Sequence, residues 1–297
     1  MNKKGKIVAI IAAVLFMIAI VSVILYVYFF KSNRTSKVPE DIHLKCNIIQ
    51  ESFQDKKVFI LTPKDKKKTK KVVFYLHGGS YVAELSKTHW KFLEEFTQET
   101  ASTVIVVDYP LAPQYHYTDV FDMITPLYQE TIKKVKPENL IVMGDSAGGG
   151  MALALVEKIG QDNMKKPSKT ILISPWLDVT MENPEIKKVQ EKDKKLNAES
   201  LKLAGISYAG IEEETRNYLV SPIYGPIENL ENVVIYTGTY DVLNPDVHKF
   251  KNMAKERGVE ITVKETEGAI HNWVINKKQK EGEDLVQKPY QELIEEI

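Results

Sequence analysis

The stretch Gly144-Asp145-Ser146-Ala147-Gly148-Gly149-Gly150 constrains the fold more than any other part of the chain. It follows the apolar run Asn139-Leu140-Ile141-Val142-Met143 and leads into Met151-Ala152-Leu153-Ala154-Leu155-Val156. The first run reads as a short buried strand, the second as the start of a helix packed on small residues. Between them stands G-x-S-x-G, Gly144 to Gly148. A strand turning this abruptly into a helix crowds backbone against backbone. Glycine at 144 and 148 permits the approach, and the turn pushes the Ser146 hydroxyl out of the sheet edge. The Ala147 N–H then lies at a helix N-terminus, where unsatisfied donors favour negative charge. A glycine-rich turn with a solvent-facing serine would share the motif. The strand before and the helix after favour a nucleophile.

A second feature precedes the first by about 70 residues. The strand Lys71-Val72-Val73-Phe74-Tyr75-Leu76 ends at His77-Gly78-Gly79-Ser80-Tyr81, a loop whose N–H groups can point into one small space. Paired with the N–H after a nucleophilic serine, such a loop makes an oxyanion hole. His77 reads as a residue fixing the loop. Further strands are expected at 57–61, 102–107, 170–174, 232–237 and 260–264. Helices are expected at 86–100, 118–135 (bent at Pro126), 245–257 and 281–297. Strands alternating with helices at this spacing imply a mainly parallel sheet covered on both faces. Residues 31 to about 54 read as a polar linker and lead-in segment, and 62–68 as a solvated hairpin tip. Residues 181–217 break the rhythm: highly charged, with one amphipathic helix carrying Leu201, Leu203, Ile206 and Tyr208. An insertion there would lie over the catalytic edge as a lid.

In an α/β-hydrolase the order along the chain is nucleophile, acid, histidine. That order removes His43, His77, His89 and His116. His248 would sit on the helix just after Asp241, pointing away from the serine. His271 follows the final strand and is the expected base. Among Asp178, Asp241 and Asp246, only Asp241 combines a strand end with the right order. Ser146 would be deprotonated by His271, and Asp241 would hold the imidazole tautomer.

With these residues in place the chain resembles the hormone-sensitive-lipase-like family of α/β-hydrolases, the fold-3 carboxylesterases with a His-Gly-Gly loop. The matching segments are His77-Gly78-Gly79, Asp108 to Pro113, Gly144 to Gly149, Ser174-Pro175-Trp176-Leu177-Asp178, Ser221 to Gly225, Asp241-Val242-Leu243 and His271-Asn272. They run in the family's order from about residue 55 to the C-terminus. Ser80 replaces a frequent third glycine, Pro110 a usual arginine, and Val242 a common proline. The resemblance implies an α/β-hydrolase fold with a helical cap, drawn from about 35–55 and 181–217. It maps the oxyanion hole to Gly78, Gly79, Ser80 and Ala147. It implies a serine carboxylic ester hydrolase acting on short-acyl esters through an acyl-enzyme, with no cofactor. Two other readings share the fold: an amidase or peptidase on the same triad, and a non-catalytic ligand-binding protein. The receptors that exemplify the latter have lost a triad member, whereas Ser146, Asp241 and His271 are all present here.

The N-terminus stands apart from this domain. Ile7–Phe30 is apolar with Ser22 as its only strongly polar member. As a helix it would span roughly 36 Å, enough to cross a hydrocarbon core. Its length and the lack of a small-x-small site after Phe30 argue against a cleaved signal peptide. Residues 1–34 are therefore expected to be a single-pass membrane anchor with flanks, and 35–297 the hydrolase domain. Lysines flank both ends of the span. A short basic head ordinarily stays inside, which places the catalytic domain outside the cytoplasm. Formal net charge is zero and lysine far outnumbers arginine, so nucleic acid is not expected as a partner. The lone Cys46 excludes an internal disulfide. No metal-ligand spacing or dinucleotide loop is present.

Overall fold

The computed structural model describes residues 38–40, 45–276 and 283–297, the side chains of 283–285 excepted. The expected anchor Ile7–Phe30 lies outside the described residues, as do 35–37 and 41–44 of the expected cap and with them His43. Among the described residues no helix is long and apolar enough to cross a membrane.

Eight strands make one sheet: β1 Cys46–Phe53, β2 Lys56–Pro63, β3 Val72–Leu76, β4 Thr103–Val107, β5 Leu140–Asp145, β6 Lys169–Ile173, β7 Val233–Gly238 and β8 Ile261–Thr266. Their order is β1-β2-β4-β3-β5-β6-β7-β8. β1 with β2 and β2 with β4 are antiparallel; from β4 onward every pairing is parallel. The helices are α1 Lys87–Thr100, α2 Tyr117–Lys134, α3 Ala147–Gln161, α4 Ile186–Gln190, α5 Ala198–Ala209, α6 Asn244–Glu256, α7 Trp273–Asn276 and α8 Glu283–Glu295.

The central strands are continuous apolar runs because both faces are covered. Phe74, Leu76, Leu140, Val142, Leu172 and Ile235 face one core with α2, α3 and α6. Val73, Tyr75, Ile141, Met143, Ile171 and Tyr236 face the other with α1, α7 and α8. Trp90 of α1 is fully buried there, edge-on to Phe59 of β2 at 5.0 Å between ring centroids. Parallel strands all end at the same edge, so the loops after β3, β5, β7 and β8 converge. Those loops carry Ser146, Asp241 and His271.

Three expectations change. Cys46–Phe53 is an edge strand, not linker or cap, and Val38 packs on the α1 and α8 side of the sheet. Residues 64–71 are not a hairpin tip, because β4 lies between β2 and β3 and pairs with both. The true hairpin turns at Gln54 and Asp55, both with positive φ, between β1 and β2. The insertion holds two helices, α4 and α5, and a 3-10 turn at Glu212–Arg216. Of its apolar positions Leu201 and Tyr208 are buried, whereas Leu203 is 69% exposed.

Candidate active site

The turn from β5 into α3 is as tight as the sequence demands. A Cβ on Gly144 would stand 2.2 Å from the Gly148 carbonyl oxygen, and one on Gly148 2.1 Å from that of Leu76. Ser146 sits between them at φ 53°, ψ −121°, a conformation that costs a non-glycine residue about 1–3 kcal/mol. It is held by its neighbours: the Ser146 N–H donates to the Ile173 carbonyl at 2.9 Å, and the Ser146 carbonyl accepts from Trp176 and Gly150. The side chain is thereby aimed off the sheet edge.

His271, on the loop between β8 and α7, places Nε2 3.0 Å from the Ser146 hydroxyl. Its Nδ1 lies 2.9 Å from Asp241 Oδ2, beyond the end of β7. All three side chains are buried. Burial works against a charged imidazole, but the charge and hydrogen bond of Asp241, aided by Asp193 and Asp145, outweigh it and raise the His271 pKa above 6.5. The other candidates are occupied elsewhere. His248 pairs with Glu265 at 2.7 Å on the surface. His77 contacts the Gly78 carbonyl through Nδ1 and stacks on Tyr109. His116 reaches the Ser207 carbonyl. Asp178 accepts from Thr180 and Tyr224, and Asp246 from Asn183.

The loop after β3 passes through positive φ at Gly79, Ser80 and Tyr81. Of the four expected oxyanion donors, Gly78 is engaged otherwise: its N–H donates to Asp145 Oδ1 at 2.8 Å. The N–H groups of Gly79, Ser80 and Ala147 have no acceptor among the described residues. Asp145 is the centre that sequence reasoning missed. It is fully buried and also accepts from Tyr75 at 2.5 Å, from the Asn272 amide at 2.7 Å, and from His89 at 3.3 Å. One carboxylate thus ties the β3 loop, the serine turn and the His271 loop together. Burial disfavours its charge, yet His89 and these hydrogen bonds hold its pKa at about 2. The available signal was an acid wedged between a buried strand and the serine turn, a place where a solvated aspartate is impossible.

Over this floor lies the insertion, and the cavity between them encloses about 520 Å³. Ser146 and His271 form the bottom; Lys195, Leu196, Asn197 and Leu201 come down from above. Tyr208 of α5 stacks on Tyr81 of the β3 loop, 3.8 Å between centroids and 3° from parallel. Buried Asp193 accepts from Lys195 and Leu196 through Oδ1 and from the Val242 N–H through Oδ2 at 2.9 Å. That last bond straps the insertion to the loop carrying Asp241. Partial burial lowers the pKa of Lys195, opposed by Asp193 and Asp241. No cluster of three or more metal-ligating side chains exists among the described residues.

Comparison with known proteins agrees with this architecture. A family model described as alpha/beta hydrolase fold matches residues 73–275. An esterase of Acinetobacter venetianus is 30% identical over 203 residues, 68% of this chain and 67% of its own. An acetyl-hydrolase of Streptomyces hygroscopicus is 24% identical over 205 residues, 68% of each chain. Among solved structures, a candidate esterase from Staphylococcus aureus superposes with a TM-score of 0.81 at 27% identity, covering 91% of this chain and 90% of its own. The matched region runs from β3 to α7 and so takes in the serine turn, both flanking loops and the insertion above them: the chain belongs to the α/β-hydrolase fold family.

Proposed function

We propose that this carboxylic ester hydrolase works by acyl transfer through Ser146, with His271 as base and then acid, and Asp241 as the carboxylate that orients it. The observation carrying the reading is the buried hydrogen-bonded line Ser146–His271–Asp241, at 3.0 and 2.9 Å, on the floor of a cavity beneath the insertion. His271 Nε2 takes the Ser146 proton as Oγ attacks the ester carbonyl. The carbonyl oxygen gains the negative charge and faces the N–H groups of Gly79, Ser80 and Ala147. When the tetrahedral species collapses, the imidazolium gives its proton to the departing alkoxide and the acyl group stays on Ser146. Water then repeats the attack with His271 as base, releasing the acid and restoring the serine. The raised pKa of His271 suits a group that must hold a proton between these steps.

A short acyl chain is supported by the name of one relative, an acetyl-hydrolase. The apolar run Ile7–Phe30 supports a domain tethered to a membrane. The test of the chemistry is Ser146→Ala. The variant is expected to lose ester turnover and labelling by a fluorophosphonate probe while unfolding at the wild-type temperature. Undiminished labelling would overturn the assignment.

A further inference from the structure

The cavity above Ser146, at about 520 Å³, falls within the roughly 300–1,000 Å³ of small-molecule sites. An acetyl or propionyl group on Ser146 occupies a fraction of that. The rest must take the alcohol half of the ester, so the walls away from the serine decide which alcohols fit.

Those walls are rich in polar side chains. Lys195, Asn197 and Ser200 line the cavity from the insertion, and Ser86 and Thr88 from the start of α1. Much of their hydrogen-bonding capacity is unused. Asn197 caps α5 with its carbonyl, accepting from the Ser200 N–H at 2.9 Å, and its amide N–H groups have no acceptor among the described residues. The hydroxyls of Ser200 and Thr88 likewise engage no partner there. Lys195 makes one long contact, to the His271 carbonyl at 3.4 Å. Ser86 Oγ, bonded to His89 Nδ1 at 2.9 Å and accepting from the His89 N–H at 3.2 Å, keeps one lone pair. An alkyl alcohol laid against these groups would strip their water and return nothing, a loss for every group covered. A ring bearing several hydroxyls returns a donor and an acceptor at each carbon. The apolar part of the lining, Val82, Leu196, Leu201, Ala204 and Ile275, suits the C–H face of such a ring as well as an acyl methyl.

We propose that the substrate class is short-acyl esters of polyhydroxylated alcohols, sugar rings foremost, held by Lys195, Asn197 and Ser200 from the insertion and by Ser86 and Thr88 from the core. The proposal rests on the hydrolase reading above. It is tested on the full chain in detergent with two acetates of similar ring size, a xylopyranoside monoacetate and cyclohexyl acetate, and with 4-nitrophenyl acetate alongside. The expected result is a kcat/KM at least ten-fold higher for the sugar ester. Thr88→Val combined with Ser200→Ala leaves the α5 cap intact and should lower kcat/KM on the sugar ester about ten-fold more than on cyclohexyl acetate. If cyclohexyl acetate is hydrolysed as well as the sugar ester while 4-nitrophenyl acetate is turned over, the substrate class is wrong and the hydrolase reading stands. If none of the three is hydrolysed, the hydrolase reading falls and takes this proposal with it.

Discussion

Glu157 lies midway along α3 with both carboxyl oxygens buried and no hydrogen-bond partner for either among the described residues. It packs so closely on Gly225 that a Cβ there would stand 2.0 Å from Oε2. Burial pushes its pKa well up, Glu228 adds to the rise, and Arg257 opposes it. The folded protein therefore keeps this proton, while the unfolded chain releases it above about pH 4.3. Stability is lost as pH climbs from that value toward the folded pKa. Glu157→Gln cannot ionise, so its urea midpoint should exceed wild type by a margin that grows between pH 5 and pH 8. Parallel curves would refute the account. His271 titrates in the opposite chemical sense. Its raised pKa predicts that kcat/KM climbs with pH through a midpoint above 6.5, since only the neutral ring accepts the serine proton. Asp241→Asn removes the main charge that lifts it and leaves burial opposed only by Asp193 and Asp145. The acid limb should move to lower pH, and kcat should drop by about 10³–10⁴-fold. A pH–rate profile of both proteins reads each outcome.

At the level of elements, the β3 loop and α5 act as a pair. The loop runs through three successive positive φ values, a backbone that needs outside support, and the Tyr81–Tyr208 stack supplies it from the insertion. Tyr208→Leu loses the stack together with part of the buried volume. It should lower kcat about ten-fold with the fold retained, whereas Tyr208→Phe, which deletes only a hydroxyl without a partner among the described residues, should stay within about two-fold. Steady-state kinetics beside a thermal melt would separate the two effects. This coupling could not be read from sequence, because neither tyrosine belongs to a motif. The inner parallel strands β3 to β7 could: each is buried on both faces and is written as a largely apolar run. β1 escaped notice for the converse reason. It lies at the sheet edge, and Asn47, Gln50, Glu51 and Ser52 give it the look of a linker. That Ser146, Asp241 and His271 would meet was legible from their order and their places after strand ends, since the parallel sheet sends all these loops to one edge. The diversion of the Gly78 N–H to Asp145 was not, because a motif records which residues are present and not which hydrogen bonds they have already made.

For the molecule as a whole, we propose that Ile7–Phe30 sets location and the hydrolase domain does the chemistry. Every group in the Ser146 cavity belongs to residues after β3, and the sheet closes without Ile7–Phe30. Residues 35–297 alone should hydrolyse a dissolved short-chain ester within about two-fold of the full chain in detergent, and only the full chain should sediment with membranes. Activity confined to concentrations above the ester's solubility limit would instead make the insertion an interface-opened lid. The strap from Asp193 to the Val242 N–H bears on how such a molecule can be altered. The insertion that roofs the cavity and the loop that carries Asp241 share one hydrogen bond. A foreign cap grafted between β6 and β7 would have to bring its own acceptor to Val242, or leave a buried donor unmet beside Asp241. Specificity in this chain is therefore not an interchangeable module: exchanging the roof disturbs the foundation.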